Sequence, residues 1–188
     1  MYREMAGLGL HAPPGTRCAY QNSDPLLCAE IVTRVAAEAG LAERADVPWR
    51  LMFEPLGMHS VLLGSDAAGH FLLCGVCLAT ATDWAKFGQL VLDDGVWQGR
   101  RLLPEGWLDY VLTPAEADDE QVYGGGFFWR GHAVYAGRVP ERTALAAGMY
   151  GQCVFVLPDQ DLVVVRLGQG ENEALLATVV GEVARAVA

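Results

Sequence analysis

Two short apolar runs, from Gly151 to Leu157 and from Leu162 to Leu167, are separated only by Pro158-Asp159-Gln160-Asp161. That spacing predicts two antiparallel strands joined by a short polar turn. Downstream, Leu175, Leu176, Val179, Val180, Val183 and Val187 recur at helical intervals and predict a terminal helix covering one face of the sheet. The second part of the chain is therefore a helix-covered antiparallel sheet.

The first part has a different period. Residues 1 to 22 form an irregular lead-in through Pro13-Pro14-Gly15-Thr16, followed by Tyr20-Gln21-Asn22 on a turn. Ser23 or Asp24 is placed to cap a helix with Pro25 in its first turn, an apolar face of Leu26, Leu27, Ile31 and Val35, and a stop at Gly40. A short helix is expected near Phe53 to Met58, then a hairpin or loop in which residues 61–63 and 71–73 flank Gly64 to Gly69. Thr80 or Thr82 caps a helix striped by Trp84, Phe87, Leu90 and Val91 and ended near Gly95. Gly99 to Pro104 reads as a connector, Glu105 to Val111 as a short helix, and the acidic stretch 113–121 as an exposed loop. Gly124 to Gly126 before Phe127-Phe128-Trp129 suggests a strand whose backbone lies close to a ligand or a neighbouring strand.

The formal charge of -10, from 13 basic and 23 acidic residues, argues against nucleic acid or an anionic membrane as the main partner. No apolar run approaches the roughly 20 residues of a membrane-spanning helix. Cys74-Gly75-Val76-Cys77 has redox or half-metal spacing, but one pair supplies too few ligands for zinc, and packing is the better reading. The five cysteines are scattered, His11, His59, His70 and His132 form no ligand pattern, and the glycines make no phosphate loop, so no cofactor is expected.

Tyr20 and Asn22 can aim a phenol and an amide into one cleft. A phenol titrating near 10 shuttles protons at neutral pH only beside a cation, and the single lysine is Lys86. The plainer alternatives are a turn aromatic for Tyr20 and a helix cap for Asn22.

Several ordered pieces resemble the serine beta-lactamase-like hydrolases, the group of penicillin-binding proteins, class C lactamases, related esterases and 6-aminohexanoate-dimer hydrolases. They are Pro13 to Thr16 before Tyr20-Gln21-Asn22, Phe53-Glu54-Pro55-Leu56-Gly57-Met58, Ala79 to Gly88, Gly95 to Pro104, and Gly148-Met149-Tyr150-Gly151-Gln152 leading into Val154 to Pro158. The resemblance implies a mixed α+β, beta-lactamase/transpeptidase-like fold and a Ser-x-x-Lys nucleophile that forms an acyl-enzyme. It makes Tyr20 the proton shuttle, Asn22 a substrate-orienting donor, and the Ala146–Gly151 neighbourhood the substrate edge. Gly148, Tyr150, Gly151 and Gln152 are the substrate-binding candidates there, Tyr150 being alternatively a packing aromatic and the two glycines simple turn residues.

Two departures matter. Ser23, Ser60 and Ser65 are the only serines, and none has a lysine three residues on. The substrate edge also carries neither lysine nor histidine, which points away from beta-lactams and toward another amide or an ester. The resemblance thus implies one partial domain, 1–188, with 1–112 mainly helical and 122–188 bearing strands and the terminal helix. The missing N-terminal half, or a complementing chain, would supply the serine. An inactive binding module and a truncated gene product are the alternatives. The compartment is open: the cytoplasm is favoured, and an export signal would lie in the missing N-terminus.

Overall fold

The computed structural model describes residues 2–125, 135–170 and 172–188. The expected strand at Phe127-Phe128-Trp129, with Gly126 and His132, lies outside them. Two compact units divide the chain, 1–83 and 84–188.

In the first unit, α1 (Tyr2–Ala6) precedes α2 (Ser23–Glu38), which ends against Gly40 at φ 68°. The buried face of α2 is Leu26, Ala29, Thr33 and Ala36, whereas Ile31 and Val35 are exposed. Small residues at three- and four-residue spacing allow close approach, so they form the packed stripe in place of the branched residues expected there. A π-helical turn, Trp49–Phe53, runs into the short α3 (Glu54–Leu56), closed by left-handed Gly57. Leu56 and Met58 are buried.

β1 (Leu62–Leu63) pairs with β2 (Cys77–Leu78), while the segment 64–72, expected as a hairpin or a loop, is a bridged loop between them. A Ser65–Phe71 bridge closes that loop, with the Leu72 amide donating to the Gly64 carbonyl and the Asp66 amide to that of His70, and Asp66 Oδ1 accepts the amides of Ala68 and His70 and curls the chain between them. All five cysteines are unbridged, and among the described residues no cluster of three or more His, Cys, Asp or Glu side chains stands ready for a metal.

α4 (Ala81–Leu92) begins where Thr80 was expected to cap it, with the Asp83 amide donating to Thr80 Oγ1 at 3.3 Å. In the second unit the supposed connector is a hairpin, β3 (Val96–Trp97) with β4 (Arg100–Arg101). Gln98 at φ 48° and Gly99 at φ 80° make the two-residue turn, whose paired positive φ values match strand twist. Asp94 then fixes α5 (Trp107–Leu112): its carboxylate accepts the Gly106 amide at 3.0 Å and the Leu108 amide at 2.9 Å. The segment 113–121 is irregular, as its composition suggested, with Asp118 gathering the amides of Glu120, Val122 and Tyr123.

The predicted hairpin is present as β6 (Gln152–Leu157) and β7 (Leu162–Arg166), and β5 (Ala144–Gly148) pairs antiparallel on the other side of β6. Side-chain alternation separates two cores. Cys153, Phe155 and Leu157 join Tyr135, Leu145 and α6 (Glu173–Val187) on one face, while Ala144 and Val156 meet Val91, Leu92 and Val111 on the other. Burial pushes the Tyr135 phenol upward and the Cys153 thiol up to about 11.

α6 packs on the sheet through Ala177, Val180 and Ala184, with Leu176 beside them. Leu175, Val179, Val183 and Val187, expected to cover the sheet, instead form an exposed stripe. Gly181, buried on the same helix, lies against the 135–138 turn, where a Cβ would stand 1.9 Å from the Arg138 carbonyl oxygen.

Gly88 on α4 is equally constrained, since a Cβ there would lie 2.6 Å from Val163 Cγ1 and 2.9 Å from Val154 Cγ1. Gly88→Ala gains up to about 1 kcal/mol of helix propensity but overpacks a contact at a cost of about 1–3 kcal/mol. A lower melting temperature is expected, and a higher one contradicts this packing. For Asp94, the Leu108 amide first, then the Gly106 amide, hold the carboxyl below its ordinary range. Its stabilisation is present above the unfolded pKa of about 3.9 and is lost as pH falls through the lower folded value. The melting-temperature gap between wild type and Asp94→Asn should therefore shrink at acid pH; a gap constant from pH 7 to 2 contradicts the assignment.

Candidate active site

Tyr20 and Asn22 belong to the first unit, and Gly148, Tyr150, Gly151 and Gln152 to the second. Upstream of Tyr20, Thr16 closes the proline turn by donating both its amide and its hydroxyl to the Pro13 carbonyl, at 3.2 and 2.7 Å. The Gln21 carbonyl accepts the Asp24 amide and opens α2. Tyr20 is 60% exposed just before the helix. Asn22 occupies the cap position with helical φ and ψ of -65° and -21°, and its side chain makes no capping bond. Side-chain caps need extended backbone at this position, so the cap role offered by the sequence is not how the Asn22 amide is used.

Two of the three serines donate their hydroxyls to aspartates. Ser60 Oγ donates to Asp83 Oδ2 at 2.6 Å and accepts the Thr80 amide at 3.0 Å, while the Ser60 amide donates to the same carboxylate at 2.9 Å. This buried carboxylate ties the end of the Phe53–Met58 motif to the first turn of α4. Ser23 Oγ reaches Asp24, and Ser65 sits at the β-bridge. Lys86 stands within α4 in the second unit. A cavity of about 300 Å³ in the first unit is lined by Tyr2, Glu30, Thr33, Arg44, His70 and Phe71 among others, and by neither Tyr20 nor Asn22.

The second half is the tip of the β5–β6 hairpin. Gly148 pairs with Gln152, and a 3₁₀ turn, Met149–Gly151, crosses between them. Tyr150 is 53% exposed and left-handed at φ 60°, ψ 25°, followed by Gly151 at φ 76°. A non-glycine residue in this region costs about 1–3 kcal/mol and persists where its surroundings over-determine it. Here Arg166 Nη1 donates to the carbonyls of Tyr150 and Gly151 at 2.7 Å each, and more weakly to that of Gly168 at 3.3 Å. Gln152 binds Gly168 at both ends of its side-chain amide, donating to its carbonyl and accepting its N–H.

Sequence reasoning did not single out Arg166. Its signal was a lone charge ending a valine run just before Gly168 and Gly170.

The beta-lactamase family profile matches residues 1–187, so the chain belongs to the beta-lactamase family. Its fold is correspondingly beta-lactamase-like. Similar solved structures include a candidate 6-aminohexanoate-dimer hydrolase from Bacillus anthracis, with a TM-score of 0.77 and 21% identity over 99% of this chain and 48% of that one. A candidate beta-lactamase from Bacteroides dorei gives 0.62 and 17% over 99% of this chain and 62% of that one. A beta-lactamase from Mycobacterium bovis gives 0.66 and 24% over 93% and 66% respectively. The chain thus spans between about half and two thirds of these structures. No curated protein sequence matches it.

Relieving the left-handed strain at Tyr150 should not harm the fold. Tyr150→Gly relieves up to about 1–2 kcal/mol of backbone strain and is expected to keep or raise the melting temperature measured by circular dichroism. A drop of several degrees contradicts an exposed, strained Tyr150.

Proposed function

We propose that this chain carries the tyrosine–asparagine part and the substrate edge of a serine acyl-transfer site acting on a linear amide or an ester. The serine and its lysine come from a Ser-x-x-Lys segment outside these 188 residues, either the N-terminal half of a longer protein or a complementing chain. The carrying observation is Tyr20-x-Asn22 at the start of α2, with an exposed phenol and an Asn22 amide not spent on capping, inside a family match that runs from residue 1 to 187.

The roles follow from proton balance. The serine hydroxyl adds to the carbonyl as its proton passes to the lysine–tyrosine pair, and the proton then reaches the leaving amine or alcohol when the tetrahedral centre collapses. Tyr20 is the shuttle between the serine hydroxyl, the lysine and the leaving group. Asn22 donates to the acyl group's own amide or carbonyl. Gly148 and Gly151 let substrate approach the hairpin backbone, Tyr150 lines the entrance, and Gln152 fixes the edge. Without lysine or histidine at Ala146–Gly151, no cation is placed there for a beta-lactam carboxylate. The name of the Bacillus anthracis structure, a candidate 6-aminohexanoate-dimer hydrolase, agrees with a linear amide.

A second reading, a non-catalytic module completed by another polypeptide, is favoured by the exposed Leu175, Val179, Val183 and Val187 stripe on α6. It is also favoured by β7, which among the described residues is paired only with β6. Such edges and stripes recruit further chain.

The 188-residue chain should not hydrolyse p-nitrophenyl acetate above background, and a fluorophosphonate probe should leave Ser23, Ser60 and Ser65 unlabelled. Stoichiometric labelling of any one of them overturns the assignment of the nucleophile to another segment.

A further inference from the structure

We infer that Arg166 is the positioning residue of the substrate edge, a clamp that sets the direction of the Tyr150–Gly151 backbone. The inference deepens the acyl-transfer reading and rests on it for the purpose of the clamp, though not for its existence. Arg166 closes β7, and its Nη1 lies within 2.7 Å of two successive carbonyls of the hairpin tip, Tyr150 and Gly151. A peptide unit is planar and trans, so its carbonyl and the following N–H point in opposite directions. Turning the Tyr150 carbonyl onto the guanidinium therefore turns the Gly151 N–H away from it.

Gly151 is what lets the guanidinium in. A Cβ at that position would stand 2.6 Å from Arg166 Nη1 and 2.6 Å from the Gly170 carbonyl oxygen, and the backbone is left-handed besides. Gln152 supplies the other strap. By binding both the N–H and the carbonyl of Gly168, it holds the 167–170 segment beside the same guanidinium, which also donates to the Gly168 carbonyl. One cation and one amide thus hold four backbone groups belonging to Tyr150, Gly151 and Gly168.

Lysine is a poor substitute in such a place. Its ammonium is a point charge on a flexible stem, whereas the guanidinium is a planar fork whose donors have fixed directions. The left-handed Tyr150 needs this over-determination, because an unclamped tip would relax toward ordinary φ values. Loss of the clamp should therefore loosen the tip while sparing the strand.

Hydrogen exchange measured by NMR on the full 188-residue chain tests this. In Arg166→Met, the tip amides that are hydrogen-bonded, Gln152 to the Met149 carbonyl and Gly168 to Gln152 Oε1, should exchange at least about tenfold faster, with Val154 to Val156 unchanged. Arg166→Lys should recover little of the protection, and added ethylguanidinium should restore part of it to Arg166→Met. Unchanged tip exchange, or acceleration of β6 in parallel with the tip, overturns the clamp. Titration with 6-aminohexanoate dimer separates the two claims: shifts at Tyr150 and Gly151 in wild type, weakened about tenfold in Arg166→Met, support both. Equal binding by the two proteins overturns the positioning role. Absence of shifts in wild type, with local loosening observed, supports the clamp and overturns the linear-amide reading.

Discussion

Burial of β6 on both faces is the constraint on which the second unit depends. From Cys153 to Leu157 every residue is buried, with Phe155 facing α6 and its neighbour Val156 facing the α4 and α5 side. A slip of one residue would exchange the two sets and break both cores at once. Because the register is so firmly fixed, Gly148 must meet Gln152, and the turn between them has one place to go. A strained tip is sustainable on a body this well determined. The same register delivers Arg166, opposite Cys153 on β7, to the base of the turn.

Charge and hydrogen bonding finish what packing begins. Asp83 and Asp94 anchor backbone in different units: Asp83 accepts the Ser60 amide, and Asp94 those of Gly106 and Leu108 at the start of α5. Asp94 determines where α5 begins more sharply than propensity does, and the Thr80 hydroxyl does so for α4. Asn22 stands apart, since it holds a cap position without side-chain capping. Retaining a polar side chain there without that local use is consistent with the substrate-orienting role proposed for it.

The β6–β7 hairpin, α2, α4 and the terminal helix were legible because each has a strong period and clear punctuation. Which face of a helix is buried was not. On α2 and α6 the residues with small side chains pack, and Ile31, Val35, Leu175 and Val179 remain exposed, since hydrophobicity alone does not report how closely two backbones approach. The Gln98-Gly99 turn escaped notice because glutamine is an uncommon left-handed residue, and β5 because its Ala-Leu-Ala-Ala-Gly run has little strand propensity. At the candidate site, ordered motifs made Tyr20, Asn22 and the Gly148–Gln152 segment candidates. Arg166 was not, because its role depends on a neighbour fifteen residues away that only the sheet brings near.

Completion tests the central claim most directly. Joining this chain to the part of the Bacillus anthracis structure beyond the matched 48% gives a chimera whose folding is checked by a cooperative melt. In the folded chimera, fluorophosphonate should label one serine in the supplied segment, and Tyr20→Phe should slow ester hydrolysis by about 10²–10⁴-fold, the range for loss of a general acid–base. Full activity in Tyr20→Phe, or labelling of Ser23, Ser60 or Ser65 in this chain, would contradict the account.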